Sequence, residues 1–327
     1  MAPLLLEVCN LSLAHPRRSG LVPVLNDVEF AISPGESFGV VGESGAGKTV
    51  LVKCILGLLM PPWQVKGRIM FSGKNLLERN EDELRRIRGK EISLTTADPR
   101  KHLNPVIAIG DQIANLIQAH ENVSKREALE RVVGLLAAVG IPDPRIRLKS
   151  YPHELSGGMC QRVIIAMALA HSPKLILADE PTAGVDVTIA RQILDLMQDL
   201  VQKYDSSLLL VSRDLGVVAH YCERVAVVYA GQLVEVGHVR SFFAHATHPY
   251  SKRLLRAASA ARDTSYGVTA SFVARDMGVA KGCSYYAHCP IAVDLCAQQY
   301  PALKPLEGGH LVRCLRMNDP TAGKEVV

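Results

Sequence analysis

Residues 37–52 read SFGVVGESGAGKTVLV, and this stretch decides the fold. Its residues 42–49 match the pattern G-x-x-x-x-G-K-[ST] of a phosphate-binding loop. The residues before the pattern are apolar enough for a buried strand, and apolar residues at helical spacing follow over Lys48–Leu59. Because such a loop lies between a strand and a helix, this context predicts a nucleotide site on an α/β sheet.

The chemistry of this loop follows from its residue types. Its glycines let the backbone curl so that N–H groups point at phosphate, and the following helix adds its positive N-terminal end. We expect Lys48 to reach the β- and γ-phosphates of ATP, and Thr49 to offer a hydroxyl to Mg²⁺. The predicted phosphate-binding residues are Gly42, Glu43, Ser44, Gly45, Ala46, Gly47, Lys48 and Thr49.

A second apolar run, Leu175–Ala178, ends in two acids, Asp179 and Glu180. Ligands of open α/β sheets bind at the carboxyl ends of the strands. We therefore expect Asp179 to orient Mg²⁺ and Glu180 to act as the general base on the attacking water. One acid pair at a strand end is an ordinary solvated feature, but the glycine loop favours the catalytic interpretation.

Strands that alternate with helices predict a parallel sheet, and a helical stretch over Ile107–Gly140 is inserted into this pattern. Residues 92–99 are expected to form a loop, and periodicity fades after about Ser259. The predicted strands are Leu4–Val8, Asp27–Ile32, Ser37–Val41, Gly67–Phe71, Lys174–Ala178, Leu208–Val211 and Arg224–Tyr229, and the other predicted helix is Ala190–Val201.

The composition is that of an ordinary globular chain. Its 327 residues suggest about two structural units, and 21% charged with 48% hydrophobic residues argue against a disordered or fibrous protein. The net charge of 37 − 32 = +5 is too small to indicate a nucleic-acid binder. No apolar run reaches the roughly 18 residues of a transmembrane helix, and Met1–Glu7 lacks the basic start of a secretory signal. We therefore expect a cytosolic protein.

A third motif, Leu155–Met159, reads LSGGM about 20 residues before the second buried strand. With it, residues 4–255 resemble the ATPase subunits of ATP-binding cassette (ABC) transporters. The resemblance implies a P-loop NTPase fold of the α/β class, with a RecA-like parallel sheet core, an antiparallel β subdomain and a helical subdomain at about 105–160. It also implies a nucleotide-binding domain over 1–255 and a small Cys-rich extension over 256–327.

The same resemblance assigns further site residues. In the ABC family this signature completes the ATP site of the other subunit in a head-to-tail dimer, and an aspartate after it links the two sites. The residues that match these positions are Ser156, Gly157, Gly158, Gln161 and Asp186. An aromatic ring normally stacks on adenine, and the matching position is His15, for which an ordinary loop histidine is an equally good interpretation.

Other segments resemble the oligopeptide/dipeptide/nickel importer ATPases more closely. They are Asp98–Pro99, Leu103–Pro105, Asp214–Ala219, Ala230–Gly231 and His248–Tyr250. The cysteines near the carboxyl end repeat a motif that in this group is implicated in holding an iron–sulfur cluster. They are Cys283, Cys289, Cys296 and Cys314. Their spacing alone leaves a metal site and reduced thiols open, whereas the resemblance favours a [4Fe–4S] cluster, with zinc as the alternative.

Two positions depart from the importer pattern. Ala97 replaces a glutamine that normally contacts Mg²⁺ and the attacking water, and Arg213 replaces a histidine that contacts the γ-phosphate. Losing one preorganised polar contact to a transition state typically costs about 10²–10³ in rate. We therefore expect an impaired ATP site on this chain and a competent one on a partner, unless both substitutions are tolerated variation.

The expected function is that of a peripheral ATPase subunit at the cytoplasmic face of the inner membrane, which couples ATP hydrolysis to solute import. The expected partners are a second, paralogous ATPase, two transmembrane permease subunits and an extracytoplasmic solute-binding protein, without nucleic acid. Two alternatives remain: a soluble cassette ATPase of DNA repair or translation, and a regulatory subunit that binds nucleotide without hydrolysing it.

Overall fold

The computed structural model describes residues 3–18, 20–260 and 281–317. The chain divides into two compact units, so far as its residues are described. The first unit runs over Met1–Ser33, Ser37–Leu77 and Ser212–Val327, and the second over Pro34–Glu36 and Glu78–Val211. The cysteine-bearing residues near the carboxyl end thus belong to the same unit as the phosphate loop. The predicted domain boundary at 255/256 stays a prediction.

The elements below are numbered in chain order. The strands are β1 Leu6–Arg17, β2 Gly20–Ile32, β3 Ser37–Val41, β4 Gln64–Phe71, β5 Lys74–Asn75, β6 Ile92–Thr96, β7 Leu175–Asp179, β8 Ser207–Ser212, β9 Arg224–Tyr229, β10 Gln232–His238, β11 Lys304–Pro305 and β12 Leu311–Val312. The helices are α1 Lys48–Ile55, α2 Glu81–Ile87, α3 Pro99–His102, α4 Ile109–His120, α5 Lys125–Ala138, α6 Pro144–Arg147, α7 Gly157–Ala168, α8 Val187–Lys203, α9 Leu215–Tyr221, α10 Val239–His245, α11 Pro249–Ala260 and α12 Asp294–Gln298.

The first unit contains an antiparallel sheet with the strand order β2-β1-β4-β5. Strand β1 pairs with β2 on one side, where Leu6 lies opposite Ile32, and with β4 on the other, where Leu6 lies opposite Phe71. The inward side chains of these strands are fully buried, which is the usual one-sided burial of an antiparallel sheet. This sheet is the antiparallel subdomain that the resemblance implies.

Each unit contains parallel strands of the α/β core. In the first unit β3 pairs parallel with β9, and β10 and β12 continue from β9 by antiparallel pairing. In the second unit β6, β7 and β8 are mutually parallel. Strands β3, β7 and β8 are almost continuously apolar and buried, as expected for parallel strands that are covered on both faces. The predicted α/β fold with a parallel core is confirmed.

Several predictions from the sequence differ from the structure. The strands predicted over Leu4–Val8, Asp27–Ile32 and Gly67–Phe71 are the longer β1, β2 and β4, and the helix predicted over Ala190–Val201 is the longer α8. The helix predicted over Lys48–Leu59 ends at Ile55, because Gly57 takes a left-handed conformation with φ 62° that stops it. Residues 92–99 are not a simple loop, since they begin with β6, which pairs with β7 and thereby buries Ser93 and Thr95. The stretch Ile107–Gly140 forms two helices, because Ser124 caps a new helix start.

Among the described residues, no helix combines the length and the apolar character needed to cross a membrane.

Candidate nucleotide site

The phosphate loop connects β3 to α1 and is closed around its own lysine. The Nζ of Lys48 donates hydrogen bonds to the carbonyl oxygens of Gly42 (2.7 Å) and Glu43 (3.0 Å), and the residue is only 5% exposed. Gly45 and Gly47 have φ of 81° and 102°, a left-handed conformation that favours glycine. The loop thus holds a buried cation where an anion can compete for its ammonium group.

Glycine at position 42 is required by packing. A Cβ atom there would lie 2.3 Å from the carbonyl oxygen of Val228 in β9. At Gly47 a Cβ would lie 2.7 Å from Cδ2 of Leu25, so space as well as φ selects glycine. The loop is also tied to the segment after β9, because the N–H of Gly231 donates to the carbonyl oxygen of Ala46 over 3.0 Å.

Charged side chains of the same unit converge on the phosphate loop. Burial raises the pKa of the Glu43 carboxyl, while the positive charges of Arg253, His288 and Lys48 oppose the rise. Arg213, which follows β8, places Nη1 3.5 Å from the hydroxyl oxygen of Ser44. Arg213, at the position where the importer family carries histidine, therefore places a cation near the phosphate loop.

His15 does not lie alone. It forms an edge-on ring contact with Trp63, with centroids 4.8 Å apart and planes inclined by 70°. Both side chains are half-buried. His15 lies on β1, two residues beyond Leu13. Leu13 pairs with Leu25, which lies beside Gly47 of the phosphate loop. Trp63 is not among the site residues predicted from the sequence, although it is the one tryptophan of the chain and so a candidate aromatic partner.

In the second unit, the acid pair follows β7 as predicted. Asp179 is the last residue of the strand, and Glu180 adopts a left-handed φ of 48° that is unusual for a residue other than glycine. The N–H of Glu180 donates to the carbonyl oxygen of Val211 (2.9 Å), which fixes this turn to the end of β8. Strained backbone of this kind clusters at functional sites.

The signature residues lie at an exposed helix start in the same unit. Ser156 is the N-cap of α7, and its hydroxyl oxygen accepts a hydrogen bond from the N–H of Met159 (3.2 Å). Gly157 has open space where a Cβ would lie. Asp186 is the N-cap of α8 and accepts from the N–H of Ile189 (3.0 Å). A 12-residue helix with free space at its N-terminus can receive an anion from another molecule.

Gln161 lies within α7, five residues after its N-cap, and Ala97 follows β6 in the same unit. Gln161 is buried, and its Nε2 donates to the carbonyl oxygen of Thr96 over 3.4 Å. Ala97 comes directly after Thr96 in the chain and is half-buried. Gln161 thus holds the backbone next to the position where the importer family carries glutamine, and its predicted nucleotide contact stays a prediction.

The four cysteines near the carboxyl end lie near one another in the first unit. The N–H of Cys283 donates to the carbonyl oxygen of Cys296 (2.7 Å). Burial raises the pKa of the Cys283 thiol to about 11, and the charges of Cys289, Cys314 and Cys296 add to the rise. Within residues 3–18, 20–260 and 281–317, no group of three or more His, Cys, Asp or Glu side chains could hold a metal ion.

Comparison with known proteins gives two family matches. The family described as "ABC transporter" matches residues 25–183, and the family described as "Oligopeptide/dipeptide transporter, C-terminal region" matches residues 234–296. The first match lies within the predicted nucleotide-binding domain 1–255, whereas the second crosses the predicted boundary at 255/256 and ends at Cys296.

Similar proteins match over nearly their whole length. The chain is 43% identical to the probable peptide ABC transporter ATP-binding protein y4tR of Sinorhizobium fredii, over 97% of this chain and 96% of that protein. It is 41% identical to the dipeptide transport ATP-binding protein DppD of Bacillus subtilis (94% and 93%). It is 39% identical to the oligopeptide transport ATP-binding protein OppD of Escherichia coli (96% and 94%).

Among solved structures, the dimeric bacterial ABC transporter cassette MJ0796 matches with a TM-score of 0.64 and 25% identity, over 72% of this chain and 99% of that one. CbiO1 of Clostridium perfringens, part of the ABC transporter complex cbiONQ, matches with a TM-score of 0.63 and 25% identity, over 79% and 99%.

Proposed function

The chain belongs to the ATP-binding proteins of peptide ABC transporters, and from this premise we propose that it binds and hydrolyses ATP to drive import of a peptide-type solute. The observation that carries the proposal is the buried Lys48 ammonium, held by the carbonyl oxygens of its own phosphate loop. The γ-phosphate of ATP is the natural competitor for that ammonium.

The test replaces Lys48 by alanine and measures MgATP binding and ATPase rate. We expect loss of both, because the loop loses its only buried cation among the described residues of this motif. Lys53→Ala is the matched control, since Lys53 is an exposed lysine on the same helix α1. Unchanged nucleotide affinity in Lys48→Ala would overturn the proposal.

We assign the hydrolytic roles residue by residue. Thr49 and Asp179 supply oxygen ligands of the kind Mg²⁺ prefers, and Glu180 accepts a proton from the attacking water. The left-handed backbone at Glu180, held by the carbonyl oxygen of Val211, supports a fixed orientation for this carboxylate. Bound Mg²⁺ would neutralise charge that develops on the phosphates.

The partners in this proposal are two transmembrane permease subunits, a solute-binding protein and a second, paralogous ATPase. The subunit is peripheral and works at the cytoplasmic face of the membrane. Support comes from relatives that are named as ATP-binding proteins of peptide transport, and from the exposed N-terminus of α7 at Ser156. The soluble DNA-repair or translation ATPase has no such support among these relatives.

We further propose that hydrolysis at this chain's own phosphate loop is slow. Ala97 has no polar group for the attacking water, and Arg213 supplies a charge in place of imidazole. One lost polar contact to the transition state predicts a rate lower by about 10²–10³. The intact Ser156 and Gly157 would meanwhile complete a competent site on the partner's phosphate loop.

This asymmetry is tested in the assembled transporter by Glu180→Gln in this chain and by the equivalent change in its partner. We expect the change in this chain to leave most ATPase activity, and the change in the partner to abolish it. Equal losses would refute the asymmetry and favour tolerated variation. Residual activity after both changes would show that other residues serve as the base.

We propose that His15 and Trp63 together bind the adenine ring. Their edge-on contact presents an aromatic surface on the antiparallel sheet, and aromatic stacking on a base contributes about 1–3 kcal/mol. Because Trp63 is the single tryptophan, its fluorescence should change when MgADP binds. His15→Ala should weaken MgADP binding severalfold. Unchanged fluorescence and affinity would mean that His15 is an ordinary residue of β1 with no contact to adenine.

The finer proposal for the extension is a [4Fe–4S] cluster at Cys283, Cys289, Cys296 and Cys314, with zinc as the alternative. The thiol set suits iron–sulfur ligation, and the mutual charge effects at Cys283 support their proximity. The described geometry brings no three of them close enough to hold a metal, so ligation would require these side chains to move. Iron, sulfide and zinc analysis of anaerobically purified protein decides between the groups.

A further inference from the structure

Three tyrosine rings form a buried cluster in the first unit. Tyr229 ends β9, Tyr250 lies on α11, and Tyr285 belongs to the segment between Cys283 and Cys289. Their centroids are 4.6 Å apart for Tyr229–Tyr250, 5.1 Å for Tyr229–Tyr285 and 5.5 Å for Tyr250–Tyr285. These separations are those of favourable aromatic packing, so the position of each ring limits that of the other two.

One side of this tyrosine cluster supports the phosphate loop. Tyr229 is preceded by Val228, whose carbonyl oxygen occupies the space where a side chain at Gly42 would lie. Two residues after Tyr229, the N–H of Gly231 donates to Ala46 over 3.0 Å. Gly42 and Ala46 of the phosphate loop therefore both contact the four-residue segment 228–231, and a shift of the Tyr229 ring would displace them.

The other side of the cluster is fixed to the cysteine segment. The N–H of Tyr286 donates to the carbonyl oxygen of Cys283 (3.0 Å), and the N–H of His288 donates to that of Tyr285 (3.0 Å). These bonds form a tight turn around Tyr285. Its burial thus depends on how the cysteine segment is folded.

A charged connection runs beside the rings. The side chains of Arg253 and Tyr285 are hydrogen-bonded, and the charge of Arg253 also acts on Glu43 of the phosphate loop. The cysteine segment and the phosphate loop thus share a guanidinium as well as the tyrosine cluster.

We propose that Tyr285 is a positioning residue of the nucleotide site, through which the folding of the cysteine segment and nucleotide binding strengthen each other. The inference rests on the proposed nucleotide binding at the phosphate loop. Coupling free energy is reciprocal: if the docked segment raises nucleotide affinity, bound nucleotide must stabilise the docked segment by the same factor. The extension is then a control element of the nucleotide site.

The first experiment measures MgADP affinity of the full chain after Tyr285→Leu. We expect the dissociation constant to rise at least about fivefold, the lower end of ordinary coupling between sites. Tyr286→Leu is the matched control, because Tyr286 is adjacent, 39% exposed and outside the tyrosine cluster. Tyr285→Phe keeps the ring and should retain most of the wild-type affinity.

The second experiment uses reciprocity and begins with the wild-type chain. Deuterium labelling of the backbone amides of residues 283–289 is followed by mass spectrometry in the wild-type chain, with and without MgADP. We expect MgADP to slow labelling by the same factor by which Tyr285→Leu weakens binding. In Tyr285→Leu this protection should disappear, whereas in Tyr286→Leu it should persist.

The outcomes separate the inference from the proposed function. If the wild-type chain binds no MgADP, the proposed function fails and the inference fails with it. If it binds MgADP but labelling is unaffected, the coupling alone is overturned. Equal loss of affinity in Tyr285→Leu and Tyr286→Leu would also overturn it, since it would indicate general destabilisation. Should Tyr285→Leu not fold, the wild-type labelling and Tyr285→Phe decide.

Discussion

Replacing Arg313 by methionine should destabilise the first unit, because this residue joins the extension to the rest of that unit. Arg313 is 1% exposed and lies just after β12. Its guanidinium donates to the carboxylate (2.9 Å) and the carbonyl oxygen (2.8 Å) of Asp27, to the carbonyl oxygen of Pro301 (3.0 Å) and to that of Leu233 (2.9 Å). One side chain therefore joins β2, β10 and the extension.

The expected loss follows from these contacts. Removing one partner of a buried ion pair costs about 3–5 kcal/mol, because the remaining charge and its polar neighbours lose their partner. The Asp27 side chain is 34% exposed and can take up water, so the lower end of that range applies. A loss of about 3 kcal/mol is a large part of an ordinary stability of about 5–15 kcal/mol. It corresponds to a fall in melting temperature of about 6–12 °C.

The assay is urea denaturation of the wild-type chain and the variant, followed by circular dichroism. Lys304→Met is the matched control, since Lys304 is an exposed cation of the extension. Asp27→Asn added to Arg313→Met should recover part of the loss, because the carboxylate no longer lacks its partner. The reasoning is refuted if Arg313→Met costs less than about 1 kcal/mol or no more than Lys304→Met.

Three further predictions concern packing and acid stability. Gly42→Ala should abolish nucleotide binding, because its Cβ would lie 2.3 Å from a carbonyl oxygen. Gly45→Ala is the comparison: its Cβ would lie in open space, so it costs only about 1–2 kcal/mol of backbone strain. The thermal shift that MgADP produces in each variant measures the difference. Burial lowers the pKa of His248 to about 4, so its contribution to stability is full above its ordinary 6.5 and is lost as pH falls towards 4. His248→Gln should flatten this part of the pH–stability curve, and an unchanged curve would contradict the assignment. A hydrogen bond from Arg131 lowers the pKa of Glu121 to about 2, so its contribution is full above its ordinary 4.5 and is lost as pH falls through about 2. Glu121→Gln should remove this dependence in urea titrations at graded pH.

The sequence predicts best those elements whose signal is local. Strands β3 and β9 have the predicted ends, because each is a short apolar run that is buried on both faces. The phosphate loop and the acid pair at Asp179 are predicted from local signals too, since both are recognised by residue types at fixed spacing. Such signals need no knowledge of which segments meet in space.

The elements that the sequence analysis missed depend on distant partners. Strand β10 was not predicted, since Glu235 interrupts its apolar pattern. The structure buries this carboxylate completely and supplies it with donors from Thr247, His248 and His310. A buried polar group of this kind is stable only when its hydrogen bonds are satisfied, and those donors lie outside the strand, 12, 13 and 75 residues further along the chain. Trp63 was missed likewise, because its partner His15 lies on β1, far from Trp63 in the sequence.

Polar and aromatic contacts of defined geometry join the extension to the rest of the first unit. Arg313 binds Asp27, His310 binds Glu235 over 2.7 Å, and Tyr285 packs in the tyrosine cluster. Apolar contacts of similar area tolerate a small shift with little loss of free energy, whereas a buried hydrogen bond is lost if either of its partners moves. Three such anchors fix where the cysteine segment lies relative to β9, and β9 ends against the phosphate loop. A rigid connection of this kind is what reciprocal coupling requires, since a loosely attached segment could unfold without any effect on nucleotide affinity.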